Sequence, residues 1–264
     1  MFMKKFLTSI IILASLVFSV LPVSAAGISA TSTNETYKKA YNETYNVYKN
    51  DAQFQMMVEA YGVAYGEKFL TDVTNSKLTS TLLRSGGGNE CYQYVTNVMQ
   101  TTTNNCGSTS TLQTLYGLNS ASTVSGSTNA AKIATLDAEY NVASQGSMMV
   151  YQVRDALNKY LIGNKSYIYA LGSGMTIDQF ETNIANSLTY GKPVVLHART
   201  GYLTYYGGKN LKHYLSLDYV NRTSDTVRIV DCNYDSTYYG IHNNVTLLDA
   251  YNTIHAESGR YLIY

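Results

Sequence analysis

His213-Tyr214-Leu215-Ser216-Leu217-Asp218-Tyr219-Val220, then Asn221-Arg222-Thr223-Ser224, then Thr226-Val227-Arg228-Ile229-Val230-Asp231: two strand-like runs flank a polar turn. The pattern is that of a β-hairpin. Alternation places His213, Leu215, Leu217 and Tyr219 on one face of the first strand, and Val227, Ile229 and Asp231 on one face of the second. Both sets are apolar apart from His213 and Asp231, so these two polar side chains point toward the core side. The position midway between them, Arg222, lies inside the turn. The two should therefore face each other across the hairpin to within about two residues. A carboxylate buried beside an imidazole fixes its tautomer and stabilises the imidazolium. A purely structural His–Asp pair has the same pattern, so a third group is needed before the pair implies chemistry.

Working outward, the chain after Gly191 is strand-like at 193–199, 212–220, 226–231, 237–241 and 259–264. Before Gly191 the texture is helical. Thr176 or Asp178 can cap a helix running to about Leu188, with Ile177, Phe180, Ile184 and Leu188 on one face. Residues 107–117 and 146–161 also read as helices, joined by a Ser/Thr/Asn-rich connection over 118–145. Helices first and an antiparallel sheet afterwards give an α+β fold.

The third group is Cys106, in Asn104-Asn105-Cys106-Gly107-Ser108-Thr109-Ser110-Thr111-Leu112. Leu112, Leu115 and Tyr116 share one helical face and Gly117 stops the helix, which places Cys106 at its N-terminus. There the unpaired N–H groups and the helix dipole favour the thiolate. The polar neighbours on both sides argue against a merely buried cysteine. Of the other histidines, His197 lies within the preceding strand without such a partner and reads as packing. His242 and His255 fall in polar stretches and read as surface residues.

At the start, Lys4 and Lys5 precede an apolar run from Phe6 to Leu21, and Val23-Ser24-Ala25 offers small residues for cleavage after Ala25 or Ala26. This is the pattern of an export signal over residues 1–25. The run is about 16 residues, short of the roughly 20 that a membrane span needs. The mature chain is accordingly expected outside the cytoplasm, secreted, with no membrane association once the signal is removed. Asn34-Glu35-Thr36-Tyr37 recurs as Asn42-Glu43-Thr44-Tyr45, and Tyr37, Tyr41, Tyr45 and Tyr48 form one helical stripe. Two or three helices over 34–83 end at Ser85-Gly86-Gly87-Gly88. Residues 26–85 are thus a helical segment, either a cap on the main domain or an inhibitory pro-segment; no processing site marks the second.

Composition narrows the classes further. The formal net charge of +1 falls to −1 when Lys4 and Lys5 leave, and no Lys/Arg cluster interleaves with aromatics, so nucleic acid is not an expected partner. The chain holds 26 Tyr, no Trp and 2 Pro, which suits an extracellular surface but selects no function. Its 3 Cys are an odd count for an exported protein, so one thiol stays unpaired or pairs between molecules. Asp231-x-Asn233-x-Asp235 opens like a calcium loop, but Ser236 and His242 stand where Gly and Glu are required. No His or Cys pair has zinc spacing, and the chemistry calls for no cofactor or metal.

A resemblance ties the pieces together. Gln100-x5-Cys106-Gly107-x-Thr109-Ser110, then Gly191-Lys192-Pro193-Val194-Val195, then His213-Tyr214-x5-Val220 and Val230-Asp231, resembles the C39-like peptidases of the papain-like cysteine peptidase class, over about residues 91–245. The resemblance implies a papain-like domain over 86–264, with Cys106 as nucleophile, His213 as base and Asp231 as its orienter. It further implies that Gln100 helps form the oxyanion hole; a side-chain amide beside the Cys106 N–H suits that chemically, at roughly 3 kcal/mol per donor. The substrate implied is a peptide or protein. Ser108 departs from the family's usual proline, and Cys232 follows Asp231 where a proline is common. Alternation turns Cys232 away from Asp231 and so away from the catalytic groups. A Cys91–Cys232 disulfide would resolve the odd cysteine count and leave Cys106 free, if the Cα separation allows it. Two other readings use the same residues: a cell-wall amidase or transpeptidase, and a secreted binding protein on a papain-like scaffold that no longer catalyses.

Overall fold

The computed structural model describes residues 30–82 and 88–264. The export signal expected over 1–25 lies outside the described residues, as does most of the Ser85–Gly88 linker. Among the described residues no helix is long and apolar enough to cross a membrane.

Three helices lead, α1 (Ala30–Tyr48), α2 (Ala52–Tyr61) and α3 (Val63–Leu82), followed by a short strand β1 (Glu90–Tyr92). Then come α4 (Cys106–Gly117), α5 (Asn129–Glu139), the single turn α6 (Val142–Gln145) and α7 (Val150–Tyr160). β2 (Tyr169–Leu171) and α8 (Ile177–Thr189) precede β3 (Val194–Arg199), β4 (Lys212–Asn221), β5 (Thr226–Asp231) and β6 (Gly240–Thr246). α9 (Leu247–His255) and β7 (Tyr261–Ile263) close the chain. The fold is α+β, with its helices largely ahead of an antiparallel sheet. That sheet has seven strands in the order β2-β7-β3-β4-β5-β6, with β1 paired to the far half of β4.

The capping chemistry expected for α8 is present. Thr176 accepts the Gln179 N–H and Gln179 reaches back to the Thr176 N–H, while Phe180, Ile184 and Leu188 are buried. Besides the single turn α6, two helices escaped the sequence reading. α5 lies inside the Ser/Thr/Asn-rich connection, where only Thr128 as cap and Ile133 and Leu136 as anchors announce it. α9 occupies a stretch read as strand or polar loop; Leu247, Ala250, Tyr251 and Ile254 form its buried face behind the cap Thr246. The last strand pair is shifted accordingly, with β6 beginning at Gly240. His242 lies in β6, its ring stacked on Tyr205 at 3.5 Å, and His255 ends α9, stacked on Tyr251 at 4.5 Å. Both rings are therefore packed.

β4 is buried on both faces, not on one. On the face of Tyr214 and Ser216 lies α4: Ser110 Oγ donates to the Tyr214 carbonyl at 3.0 Å and Ser216 Oγ to Gln113 Oε1 at 2.9 Å. α8 and α9 cover the sheet from the other side, bringing Ile184, Leu188, Ala250 and Ile254 into the core. A sheet covered twice loses the simple apolar-in, polar-out code, because both faces must be satisfied.

The N-terminal helices dock at the β2–β7 end. Tyr48 donates to the Tyr169 carbonyl at 2.9 Å, Tyr261 donates to Asp51, and Asp51 caps α2 by accepting the Phe54 N–H at 2.9 Å. Tyr48, Phe54, Phe69, Tyr169 and Tyr261 form one aromatic cluster, with the Arg154 guanidinium over Phe69 and Tyr169. Tyr48, Met57, Phe69, Leu70 and Val73 are essentially without exposure, and burying each such side chain contributes about 1.5–3 kcal/mol.

Candidate active site

α4 begins at Cys106, and its cap residue Asn105 makes no side-chain hydrogen bond to the helix. The N–H groups of the first turn are therefore free of a side-chain cap, and the Gly107 N–H serves the Cys106 sulfur. Gly107 is required by packing: a Cβ there would stand 2.9 Å from Met148 and 3.3 Å from the Tyr214 ring. Ser110 and Gln113, one and two turns further on, fasten the helix to β4 as described above.

The hairpin presents His213 and Asp231 as expected. Asp231 pairs in register with Leu215, two residues along from His213, and His213 Nε2 lies 2.9 Å from Asp231 Oδ1. With Nε2 donating to the carboxylate, Nδ1 is the ring nitrogen left to serve Cys106, whose thiol and the His213 imidazole shift one another. The hairpin departs from ideality at one point, a register shift between Leu217 and Tyr219. There Asp218 turns to a bidentate pair with Arg228, at 2.7 and 2.6 Å, and accepts the Val95 N–H at 2.9 Å.

Asp231 has no exposure, yet its carboxylate is fully supplied with donors. Oδ1 takes His213 Nε2 and the Asn233 N–H, both at 2.9 Å; Oδ2 takes the hydroxyls of Tyr206 at 2.8 Å and Tyr205 at 3.2 Å. Asn233 Nδ2 donates in turn to the Tyr206 hydroxyl at 3.0 Å. The calcium-like rhythm after Asp231 has a plain origin. Asp231, Asn233 and Asp235 each accept the backbone N–H two residues on, at 2.9, 2.9 and 3.0 Å, a run of Asx turns. Tyr205 and Tyr206 carry no signal in the sequence, and Asn233 stands out there only through the discounted calcium rhythm. Only nearness to the hairpin in three dimensions marks the two tyrosines among 26.

Cys232 corrects two expectations. It does turn away from Asp231, but the face it turns to is the one occupied by α4. Its Sγ lies 3.6 Å from the Cys106 carbonyl, 3.6 Å from Gln100 Oε1, 3.5 Å from the Tyr214 carbonyl and 3.9 Å from His213 Nε2. It is thus inside the site. Nor is it bridged: all three cysteines are free, and the Cys91 sulfur sits beside Thr189 Oγ1 at 3.4 Å, on the β1 side of the sheet.

Two thiols beside one imidazole raise the question of which reacts. Burial pushes the Cys106 thiol up, but the hydrogen bond and charge of His213, with backbone hydrogen bonds at Tyr214 and Gly107, outweigh it and bring it below its ordinary value. Burial dominates at Cys232, and its pKa is raised despite His213. Three oxygens that can only accept, Gln100 Oε1 and the carbonyls of Cys106 and Tyr214, also face Cys232, surroundings that suit a protonated thiol. Cys106 is 6% exposed and Cys232 is sealed. Of the two thiols, Cys106 is thus the one whose surroundings favour the thiolate. Burial opposes the charge on His213, but the neighbouring sulfur of Cys232, the Asp231 carboxylate and the Cys106 hydrogen bond prevail, and its pKa stands well above the ordinary value. A lowered thiol and a raised imidazole are the directions that favour a thiolate–imidazolium pair.

Gln100 is buried, its Oε1 facing the Cys232 thiol at 3.6 Å. Its backbone N–H donates to the Cys232 carbonyl at 2.7 Å, and its Nε2 gives one hydrogen to the Thr102 carbonyl at 2.7 Å. An amide has two such hydrogens, so one remains. His197, read as packing, is held between the rings of Tyr214 and Tyr261, with Arg260 Nη1 2.9 Å from its Nε2.

A cysteine at a helix N-terminus and a histidine that a strand-borne aspartate holds from behind are the groups a cysteine-peptidase site requires. The chain belongs to the Peptidase_C39 like family, whose model matches residues 92–258. Among solved structures it is similar to a fragment of prointerpain A from Prevotella intermedia, with 14% identity over 75% of this chain and 82% of that one and a TM-score of 0.46. Comparison with curated proteins finds no match.

Proposed function

We propose that the protein is an exported cysteine peptidase that cleaves peptide or amide bonds by thiol acyl transfer. The observation carrying this reading is the buried Asp231–His213 pair, with Nε2 of the imidazole engaged at 2.9 Å, together with Cys106 at the start of α4, whose thiol His213 helps to bring below its ordinary value. The Cys106 proton passes to His213 Nδ1 and the thiolate bonds to the substrate carbonyl carbon. The oxyanion is met by the remaining Gln100 N–H and the Cys106 N–H. The C–N bond then breaks as His213 returns its proton to the leaving amine. Water, deprotonated by His213, cleaves the thioester and restores the thiol. Export rests on the signal pattern of residues 1–25. The N-terminal helices act as a permanent cap, supported by their buried contacts at the β2–β7 end.

One observation favours a second reading. Cys106 is only 6% exposed, as suits a scaffold of the same architecture that binds without cleaving.

Iodoacetamide labelling of Cys106 against pH separates the two. The wild-type protein should label rapidly well below pH ~8.5, the ordinary thiol value, and His213→Ala should lose that low-pH reactivity. Equal, ordinary profiles for both proteins would leave the binding scaffold as the better account.

A further inference from the structure

We propose that Asp137, on α5, is a positioning residue that locks the nucleophile and the oxyanion amide into one frame; this deepens the peptidase reading and rests on it. Asp137 Oδ1 accepts the Ser108 hydroxyl at 2.5 Å and Oδ2 accepts Asn105 Nδ2 at 3.1 Å. One carboxylate thus grips the residue before Cys106 and the residue two after it. The grip extends to Gln100. Asn105 Nδ2 also donates to Thr101 Oγ1 at 2.8 Å, Asn105 Oδ1 accepts the Thr102 N–H at 3.1 Å, and the Thr102 carbonyl accepts Gln100 Nε2 at 2.7 Å. A continuous chain of hydrogen bonds therefore runs from α5 through the loop to the amide proposed to meet the oxyanion. The base of the lever is rigid, since Ile133 and Leu136 of α5 are fully buried.

The arrangement accounts for two oddities. Asn105 stands at the cap position of α4 without capping it, because its side chain is committed to Asp137 and the 101–102 loop. Ser108 replaces the proline that the family resemblance leads one to expect, and its hydroxyl supplies a bond to Asp137 that proline lacks. The helix N-terminus consequently stays open toward the thiol, while its direction is set from the side by α5. Preorganisation of this kind acts on rate, because a nucleophile displaced by a fraction of an ångström leaves its reactive geometry.

The test compares wild type, His213→Ala, Asp137→Ala, Asp137→Asn and Ser108→Ala by the pH profile of Cys106 alkylation, with circular dichroism on each to confirm folding. Asp137→Ala should lower the labelling rate at pH 6 by about tenfold or more and move the profile toward an ordinary thiol. Asp137→Asn retains an acceptor for Ser108 but opposes its amide to that of Asn105, and Ser108→Ala removes one bond; both should fall between. If Asp137→Ala does not fold, the two milder variants decide by the same profile. Folded Asp137 variants with the wild-type profile would overturn the positioning role. Identical profiles for wild type and His213→Ala would instead remove the peptidase reading beneath it.

Discussion

One strand in from each edge of the sheet, the protein buries a carboxylate against tyrosine hydroxyl groups. At β7 the acid is Asp51, whose partners are the Phe54 N–H at the start of α2 and the Tyr261 hydroxyl. At β5 it is Asp231, whose partners are Tyr205, Tyr206, the Asn233 N–H and His213. Burial alone treats the two alike, since a carboxylate removed from water must be given donors wherever it lies. Their difference is in the next link. Behind Tyr261 there is aromatic packing, and behind His213 there is a thiol. A buried acid is thus a staple or a catalytic orienter according to whether its partner can exchange a proton with something reactive.

The comparison predicts that changes at the β5 end alter rate and leave stability, and that changes at the β7 end do the reverse. The largest effect belongs to the nucleophile. Cys106→Ala should reduce peptide hydrolysis at least about 10³-fold with an unchanged melting temperature, whereas Cys232→Ala should keep most of the rate. Silencing by the second variant and not the first would exchange the roles of the two thiols. Next comes removal of the cap. A chain beginning at residue 86 would expose Tyr169, Tyr261 and Arg154, now covered by Tyr48, Phe54 and Phe69, and should lose its cooperative thermal transition. Should that shortened chain fold and outperform the full one, the helices would be an inhibitory pro-segment and the two ends would not be independent.

The smallest contrast is between single acids. Asp231→Asn should lower turnover by about 10²–10⁴-fold, since an amide in place of the carboxylate misdirects the imidazole tautomer. Asp51→Ala removes a helix cap and orphans the Tyr261 hydroxyl, a loss of about 1–3 kcal/mol that shows as a lower melting temperature. Its iodoacetamide profile should match the wild type. A changed profile would mean that the far edge communicates with the site.

The groups of the candidate site were legible because their signals are local. Cys106 stands before a helical face closed by Gly117, and the His213–Asp231 register follows from a hairpin whose midpoint is its own turn. α5 and α9 were less legible, since polar sequences hold their few anchors and tertiary burial supplies the rest. The environment of Cys232 was not legible at all. Alternation correctly assigned its direction, but the reading assumed a sheet with one buried face. Asp137, Tyr205 and Tyr206 were invisible for a related reason: each meets its partner at a sequence separation of 25 or more.

Read alone, the chain settles which groups have the right chemistry: a thiol with a helix behind it, an imidazole, a carboxylate and an amide, in an α+β order. It settles these because helix ends and strand periodicity are properties of a few neighbouring residues. Tertiary structure alone decides that Cys232 lies within the site with burial raising its thiol, that Asp231 is held by two tyrosines, and that Asp137 grips the residues on both sides of Cys106. Those outcomes depend on which face of the sheet each helix covers, and that choice is made by packing over the whole core, where no short stretch of sequence carries the information.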